Sequence, residues 1–258
     1  MSSPTSFPTP PYFGACLLPV IPLRSAPHHD SEMVSQVLFG ETFTADVHTD
    51  EWLHVQLDAD AYEGWISLKQ GTPLDATTHA QLQKWSHRLS APVSNILVDN
   101  CPILLPCGAR LPEKACRVAN HTIDPAQAPV EPLDPCRAAK QLIGAPYLWG
   151  GRTALGIDCS GLVQTAFSLS GILLPRDAYQ QADCGHPIDD LQHVQPADLA
   201  FFANLSGRII HVGICLSPSL IVHASGQVHT DQLDACGIFH TTHHTYTHRL
   251  HSLRRIIE

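Results

Sequence analysis

The second half of the chain places two helical patterns before a series of strand patterns, and this order constrains the fold most. The first helix is predicted from a cap at Asp134, with Pro135 in the first helical position and Gly144 just past its end. The second helical pattern begins at Asp158 and stops at Gly171. Because the helices come first and the strands follow, the predicted fold class is α+β.

Strand patterns follow the second helix and also occupy the first part of the chain. After the helix, strands are predicted for residues 197–202, 209–216, 220–224 and 250–257. Near the N-terminus, residues 51–57 alternate between apolar and polar, and residues 62–68 form another strand pattern. These short strands predict a small antiparallel barrel of about 60 residues.

The composition argues against two classes of partner. Lys and Arg number 15 against 24 Asp and Glu, whereas a nucleic-acid-binding chain needs a clustered basic surface. No apolar run approaches the roughly 18 residues of a membrane span. We therefore expect no nucleic-acid and no membrane partner. The sequence leaves the oligomeric state open, and a monomer is compatible with it.

Cysteine usage and the N-terminal segment favour a reducing compartment. The chain has 9 cysteines, an odd number that is too sparse for a secreted disulfide framework, so free thiols are expected. The first basic residue is Arg24, and prolines interrupt the segment before it, unlike a secretory signal. We expect residues 1–11 to be a flexible lead and the protein to be cytoplasmic.

Cys159 stands where a catalytic cysteine is expected. It opens an amphipathic helix, and the unpaired amides there stabilise a thiolate, which is the nucleophilic form. Glycines before it and Gly161 after it let another segment approach closely. The alternative is a buried cysteine that serves only as a small apolar residue.

His211 and His223 are the candidate base and its orienting partner. Both lie in apolar strand patterns, and a hairpin centred near residue 217 brings them nearly opposite each other. One histidine could then take the thiol proton while the other orients it. Because the chain has 17 histidines, hydrogen-bonded core histidines remain the alternative from spacing alone.

Around these three residues, a series of motifs resembles the NlpC/P60 family of papain-like cysteine peptidases. The motifs follow the family order over residues 132–258 and are Pro146-Tyr147-Leu148-Trp149-Gly150-Gly151, Gly156-Ile157-Asp158-Cys159-Ser160-Gly161-Leu162-Val163, Leu174-Pro175-Arg176-Asp177, Pro196-Ala197-Asp198-Leu199-Ala200-Phe201-Phe202, His211-Val212-Gly213-Ile214 and His223-Ala224-Ser225-Gly226. The resemblance implies helices packed on an antiparallel sheet, with Cys159 as nucleophile, His211 as base and His223 as orienting residue. It also implies a thioester acyl-enzyme and no cofactor.

The first part of the chain resembles a bacterial SH3 (SH3b) domain. The resemblance is carried by Pro22-Leu23-Arg24-Ser25, Gln36-Val37-Leu38-Phe39-Gly40-Glu41 and Tyr62-Glu63-Gly64-Trp65-Ile66. The predicted organisation is an SH3b barrel over residues 12–72 and a catalytic NlpC/P60 domain over residues 132–258. Residues 73–131 between them are predicted to hold a linking helix over 75–89 and a β-rich connector, with a second SH3-like piece as an alternative.

This arrangement resembles a subgroup that acts on cytoplasmic murein peptides and requires a free N-terminal L-alanine. The resemblance implies that Tyr62 and Asp158 hold the substrate amine, because a buried ammonium needs paired charge and hydrogen bonds. Ser160 is a further candidate for the amine, Tyr147 for the oxyanion side, and Arg176 for substrate binding. The alternatives are a barrel aromatic for Tyr62, a packing residue for Tyr147 and a helix cap for Asp158.

Two features of the resemblance leave the polar contacts open. Ala178 stands where members of the subgroup often carry serine, so one polar contact is missing or supplied elsewhere. Glu32 and Glu41 are both candidates for the SH3b carboxylate that would face the amine.

A His-rich segment, residues 240–251, offers a metal site as an alternative function. Zinc sites use fixed Cys and His pairs such as C-x₂-C with H-x₃₋₅-H. Cys101 and Cys107 do not form such a pair, and Cys236 with His240 stands alone. We therefore predict a solvated loop leading into the last strand, and no metal.

The residues and the resemblance together predict a cysteine endopeptidase. Its substrate would be the bond between γ-D-glutamate and a diamino acid, diaminopimelate or lysine, in murein peptides with a free N-terminal L-alanine. Two alternatives remain: an amidase or wall-remodelling hydrolase that cuts another peptidoglycan amide, and a non-catalytic wall-binding module.

Overall fold

The computed structural model describes residues 9–241 and 243–257, so most of the predicted lead over residues 1–11 lies outside the described residues. The chain divides into two compact units. The first runs to Leu89 and resumes over Val93–Val130, and the second comprises Ser90–Pro92 and the chain from Glu131 onward. Among the described residues, no helix combines the length and apolar character needed to span a membrane.

The first unit is built on an antiparallel seven-stranded sheet. Its strands are β1 (Tyr12–Ala15), β2 (Val20–Arg24), β3 (Met33–Leu38), β4 (Thr42–His48), β5 (Trp52–Leu57), β6 (Glu63–Ser67) and β7 (Thr72–Leu74). Their order is β3-β2-β6-β5-β4-β1-β7. Leu53, Val55 and Leu57 alternate along β5 and are buried in the core of this sheet, as their spacing predicts.

The rest of the first unit is one short helix and two smaller sheets. The elements are α1 (Ala76–Gln83), β8 (His87–Arg88), β9 (Val93–Val98), β10 (Cys101–Pro106), β11 (Arg110–Leu111), β12 (Cys116–Val118) and β13 (His121–Asp124). The helix predicted over residues 75–89 is therefore too long. Leu82, Trp85 and Leu89 still meet in one apolar cluster, but Trp85 and Leu89 reach it from an extended segment that pairs with β11.

The second unit begins with the two predicted helices. Its first elements are α2 (Pro135–Gln141), β14 (Arg152–Thr153), β15 (Gly156–Ile157), α3 (Cys159–Ser168), α4 (Ala178–Gln181), β16 (His186–Pro187) and a 3-10 turn at Leu191–His193. Asp134 caps α2 by accepting from the Arg137 N–H at 2.9 Å. Gly144 and Gly171 follow the two helices with φ of 91° and 82°, the left-handed region that glycine adopts at helix ends.

A β-barrel completes the second unit. Its strands are β17 (Leu199–Ala203), β18 (Ile209–Ser217), β19 (Leu220–Ser225), β20 (Gln227–Asp234), β21 (Gly237–His240) and β22 (Thr245–Arg255). The strands run in the order β22-β17-β18-β19-β20-β21, and β22 also pairs with β21, which closes the sheet. Strands β20 and β21 were not predicted from the sequence. Their polar residues, among them the buried Asp231, hide the apolar alternation that would have marked them.

Candidate active site

Cys159 is the first residue of α3 and is 6% exposed. Asp158 caps the helix by accepting from the Gly161 N–H at 2.7 Å. A Cβ atom at position 161 would lie 2.2 Å from the Gly151 carbonyl oxygen, so the close approach predicted at Gly161 is real. The sequence therefore places the thiol at a capped helix N-terminus against a tightly packed loop.

The thiol itself is protonated at rest. Burial raises the pKa of Cys159 to about 11, and the nearby Asp158 carboxylate adds to the rise. Backbone N–H groups of Val212 and Ser160 lie against the sulfur and oppose this rise in pKa. Burial therefore opposes the stabilisation of a thiolate that the helix N-terminus offers, and the sulfur needs a base to lose its proton. One of the backbone N–H groups that contact the sulfur belongs to Val212, the residue that directly follows His211 in the sequence.

His211 on β18 and His223 on β19 are in hydrogen-bond contact. His211 Nε2 lies 2.9 Å from His223 Nδ1, and the two residues are 4% and 1% exposed. His223 pairs with Gly213, not with His211 as the predicted hairpin had it, because the turn closes with the Ser217–Leu220 pair. A shift of two residues keeps both side chains on one face of the sheet, where diagonal neighbours still touch.

Both imidazoles are neutral near pH 7. Burial lowers the pKa of His211 well below 6.5, and the neighbouring His248 and His223 lower it further. Burial also lowers the pKa of His223, against the opposing effect of a hydrogen bond to Asp231. A neutral imidazole has one unprotonated ring nitrogen, so His211 can act as a general base.

The chain of hydrogen bonds continues from His223 to Asp231 and His229, which were not predicted as site residues. Asp231 Oδ2 lies 3.3 Å from His223 Nε2 and 3.0 Å from His229 Nε2. Burial raises the pKa of Asp231, but hydrogen bonds from the two histidines outweigh it and leave the pKa below its usual value. The alternation of His229, Asp231 and Leu233 was the available signal for β20.

His248 on β22 packs against the candidate base. Its ring stacks on His211 with centroids 4.1 Å apart and an interplanar angle of 22°. Burial lowers the pKa of His248 to about 4, and the neighbouring His223 adds to this effect. The solvated loop predicted for residues 240–251 is therefore wrong from Thr245 onward, where the chain forms β22. The alternation of Tyr246, His248 and Leu250 was the missed signal.

Three of the predicted substrate-binding residues meet in a second buried network. Arg176 donates to both oxygens of Asp158, from Nη1 at 3.0 Å and from Nη2 at 2.5 Å. The same Nη1 donates to Ser160 Oγ at 2.8 Å, and the Gly150 N–H donates to Asp158 Oδ2 at 2.8 Å. Arg176 is 2% exposed. Asp158 thus serves as the helix cap considered as its alternative, and it also forms a bidentate ion pair.

Comparison with known proteins identifies both units. Residues 144–249 match the NlpC/P60 family, and residues 23–70 match the family described as bacterial dipeptidyl-peptidase Sh3 domain. Along the chain, a bacterial SH3 domain is followed by an NlpC/P60 domain. The resemblance found in the sequence motifs is confirmed, and the second unit is that of an NlpC/P60 peptidase.

Two relatives and a solved structure extend the similarity over most of the chain. The γ-D-glutamyl-L-lysine dipeptidyl-peptidase of Bacillus subtilis is 27% identical over 220 residues, 76% of this chain and 73% of that protein. Dipeptidyl-peptidase 6 of Lysinibacillus sphaericus is 27% identical over 251 residues, 82% of this chain and 88% of that protein. An NlpC/P60 family protein from Bacillus cereus matches with a TM-score of 0.77 at 19% identity, over 95% of this chain and 100% of that chain. The predicted α+β fold class, with an SH3b-type first domain, is confirmed.

Two tyrosines predicted for the site lie in different domains. Tyr147 of the NlpC/P60 domain is half-buried, and burial raises its pKa, with the nearby Cys159 as the next cause. Its phenol therefore stays protonated and can donate a hydrogen bond. Tyr62 of the SH3 domain is half-buried against the core of the first sheet. In that domain Glu41 is buried and its Oε2 accepts from the Leu38 N–H at 2.8 Å, whereas Glu32 is exposed.

Histidines of the NlpC/P60 domain also form two groups whose donor atoms could hold a metal ion. One group is His211, His223 and His248, and the other is His223, His229 and Asp231, with donor atoms within 4.8 Å in each. Imidazole and carboxylate are ligands that zinc accepts. Hydrogen bonds and ring stacking between these side chains already account for the short distances between their donor atoms. The absence of a metal therefore stays a prediction.

Proposed function

We propose that the protein is a cysteine endopeptidase that hydrolyses the bond between γ-D-glutamate and the following diamino acid of murein peptides. The observation that carries this proposal is the buried Cys159 thiol at a capped helix N-terminus, together with the hydrogen-bonded pair of neutral histidines, His211 on β18 and His223 on β19. The name of the B. subtilis relative, a γ-D-glutamyl-L-lysine dipeptidyl-peptidase, supports the choice of bond.

The proposed reaction begins with transfer of the Cys159 proton to His211. The sulfur then forms a bond to the γ-glutamyl carbonyl carbon, and the carbonyl oxygen becomes an oxyanion. The Cys159 amide and the Tyr147 hydroxyl are the proposed donors to that oxyanion. When the C–N bond breaks, His211 returns the proton to the departing amine. Water, deprotonated by His211, then splits the thioester and restores the thiol.

The proposed substrate carries a free N-terminal L-alanine and is cut to L-Ala-D-Glu and the diamino acid. In this proposal Asp158 holds the ammonium group and Ser160 assists it. Arg176 orients the Asp158 carboxylate through hydrogen bonds to both of its oxygens. The reaction is placed in the cytoplasm, where free thiols persist, and all nine cysteines are free.

The proposal is tested by incubating the purified, reduced protein with L-Ala-γ-D-Glu-meso-diaminopimelate, its lysine counterpart and their N-acetylated analogues. We expect mass spectrometry to find L-Ala-D-Glu from the free peptides alone. Cys159→Ala should abolish the product, whereas Cys184→Ala, at a half-buried cysteine of the same domain, should not.

Two other outcomes would contradict parts of this proposal. Cleavage of acetylated and free peptides at equal rates would support the peptidase but contradict the role of Asp158 in binding the amine. No cleavage of any of these peptides under reducing conditions would favour a different bond or a non-catalytic wall-binding module.

A further inference from the structure

We propose that Asp231 is a positioning residue that sets the proton positions of the His211–His223 pair. It accepts a hydrogen bond from His223 at Oδ2, on the side of the ring away from His211. This inference rests on the thiol chemistry of the proposed function, but it does not depend on which peptide is the substrate. Neither the motifs nor the family matches assign a role to this residue.

The direction of the hydrogen bonds follows from the last acceptor in the chain. An ionised carboxylate can only accept, so His223 must carry its proton on Nε2 to bond Asp231. A neutral imidazole has one N–H group, which leaves His223 Nδ1 as an acceptor. His211 Nε2 therefore donates to it across 2.9 Å. The remaining nitrogen of His211, Nδ1, is left without a proton and can take one from Cys159.

Without the carboxylate, the opposite arrangement becomes available. His223 could then carry its proton on Nδ1 and donate it to His211 Nε2. His211 would be forced to hold its own proton on Nδ1, where it could not accept from a thiol. The buried charge of Asp231 therefore selects the competent tautomer and favours the imidazolium that forms during attack.

His229 holds the carboxylate in place from the other side. In the register of β19 and β20, His229 lies directly opposite His223, and Asp231 follows two residues later on the same face. His229 Nε2 lies 3.0 Å from Asp231 Oδ2, and its Nδ1 lies 2.9 Å from the Gln227 carbonyl oxygen. These two contacts fix the His229 ring between the Gln227 carbonyl and the carboxylate, and they hold Asp231 in place beside His223.

The first test compares three variants on one strand with the wild-type enzyme. In Asp231→Asn the amide can donate to His223 Nε2, which favours the wrong tautomer. We expect kcat to fall by about 100-fold, the lower end of the range for a proton-transfer group, with little change in KM. Asp231→Glu should recover part of the loss. The control is Asp234→Asn, whose carboxylate accepts from the Tyr246 hydroxyl at 2.6 Å and should leave kcat unchanged.

The second test reads the tautomers directly and needs no substrate. In ¹⁵N-histidine-labelled protein, NMR should show His211 and His223 each protonated on Nε2, with signals assigned through His211→Gln and His223→Gln variants. In Asp231→Asn we expect His211 to carry its proton on Nδ1. The rate at which iodoacetamide modifies Cys159, followed by peptide mass spectrometry, should fall by a similar factor to kcat.

These readouts separate the two proposals. Wild-type protein that cleaves no murein peptide but shows the Nε2-protonated pair would contradict the proposed substrate and leave the role of Asp231 supported. An Asp231→Asn variant that keeps the wild-type fold, tautomers and alkylation rate would overturn the role of Asp231 whatever the substrate proves to be.

Discussion

Two buried polar networks serve Cys159, and they differ in the kind of group they bury. The network of Asp158, Ser160 and Arg176 is built on opposite charges joined by bidentate hydrogen bonds. The chain of His211, His223 and Asp231 is built on imidazoles that burial keeps neutral. Paired charges hold the helix terminus in one geometry, whereas neutral bases can gain and lose a proton. Similar burial therefore supports a scaffold in one network and proton transfer in the other.

The largest expected effect comes from the histidine network. His211→Gln removes the base but keeps a polar side chain of similar length. Activity on the free murein tripeptide should fall about 10²- to 10⁴-fold, the range for loss of a general base. Steady-state kinetics and the thermal midpoint measured together should show lost turnover with a modest change in stability. Activity within a few-fold of wild type would contradict the proposal that the histidine network transfers protons whereas the charged network serves as a scaffold.

The next effect concerns the charged network and appears in stability. Arg176→Met leaves the Asp158 carboxylate buried without its cation, which costs roughly 3–5 kcal/mol of unfolding free energy. Urea titration measures this change. The control, Arg208→Met at an exposed position, should stay within about 0.5 kcal/mol of wild type. An equally small change for Arg176 would mean that its charge is not what holds the helix terminus.

The smallest effect is a pH dependence of stability at His248. Its pKa is lowered from 6.5 to about 4 by burial, so the unfolded chain binds its proton first as the pH falls. Wild-type stability should therefore decline from about pH 6.5 towards pH 4. His248→Phe should remove about 1 kcal/mol of that decline, after allowance for the partial exposure of the ring.

Denaturant titrations at pH 7 and pH 4.5 would measure the His248 contribution, with His251→Phe as an exposed control on the same strand. A decline of equal size in the His248 variant would show that the stacked ring contributes nothing to it. The decline would then come from other groups, among them His211 and His223, whose pKa values burial also lowers.

Much of the fold could be predicted from short-range signals. The caps at Asp134 and Asp158 act on amides within three residues, so their effect is visible in the local sequence. Strands β18 and β19 have apolar patterns that report a buried face. The length of α1 was overestimated, because residues after its end at Gln83 reach the same apolar cluster from an extended segment. Helical spacing of apolar residues therefore does not prove a helix where tertiary packing can bury the same residues in another conformation.

The features that could be predicted are the bacterial SH3 domain followed by the NlpC/P60 domain, the N-terminal caps of α2 and α3, and the candidate nucleophile with its two histidines. Those features depend on caps, periodicity and motifs, which act over a few residues. The register of β18 with β19, the approach of Asp231 and His248, and the protonation of the buried groups became visible only in the folded chain. The register and the two approaches depend on strands that come together from distant parts of the chain, and the protonation depends on the removal of water from between them. No local sequence pattern therefore predicts these features.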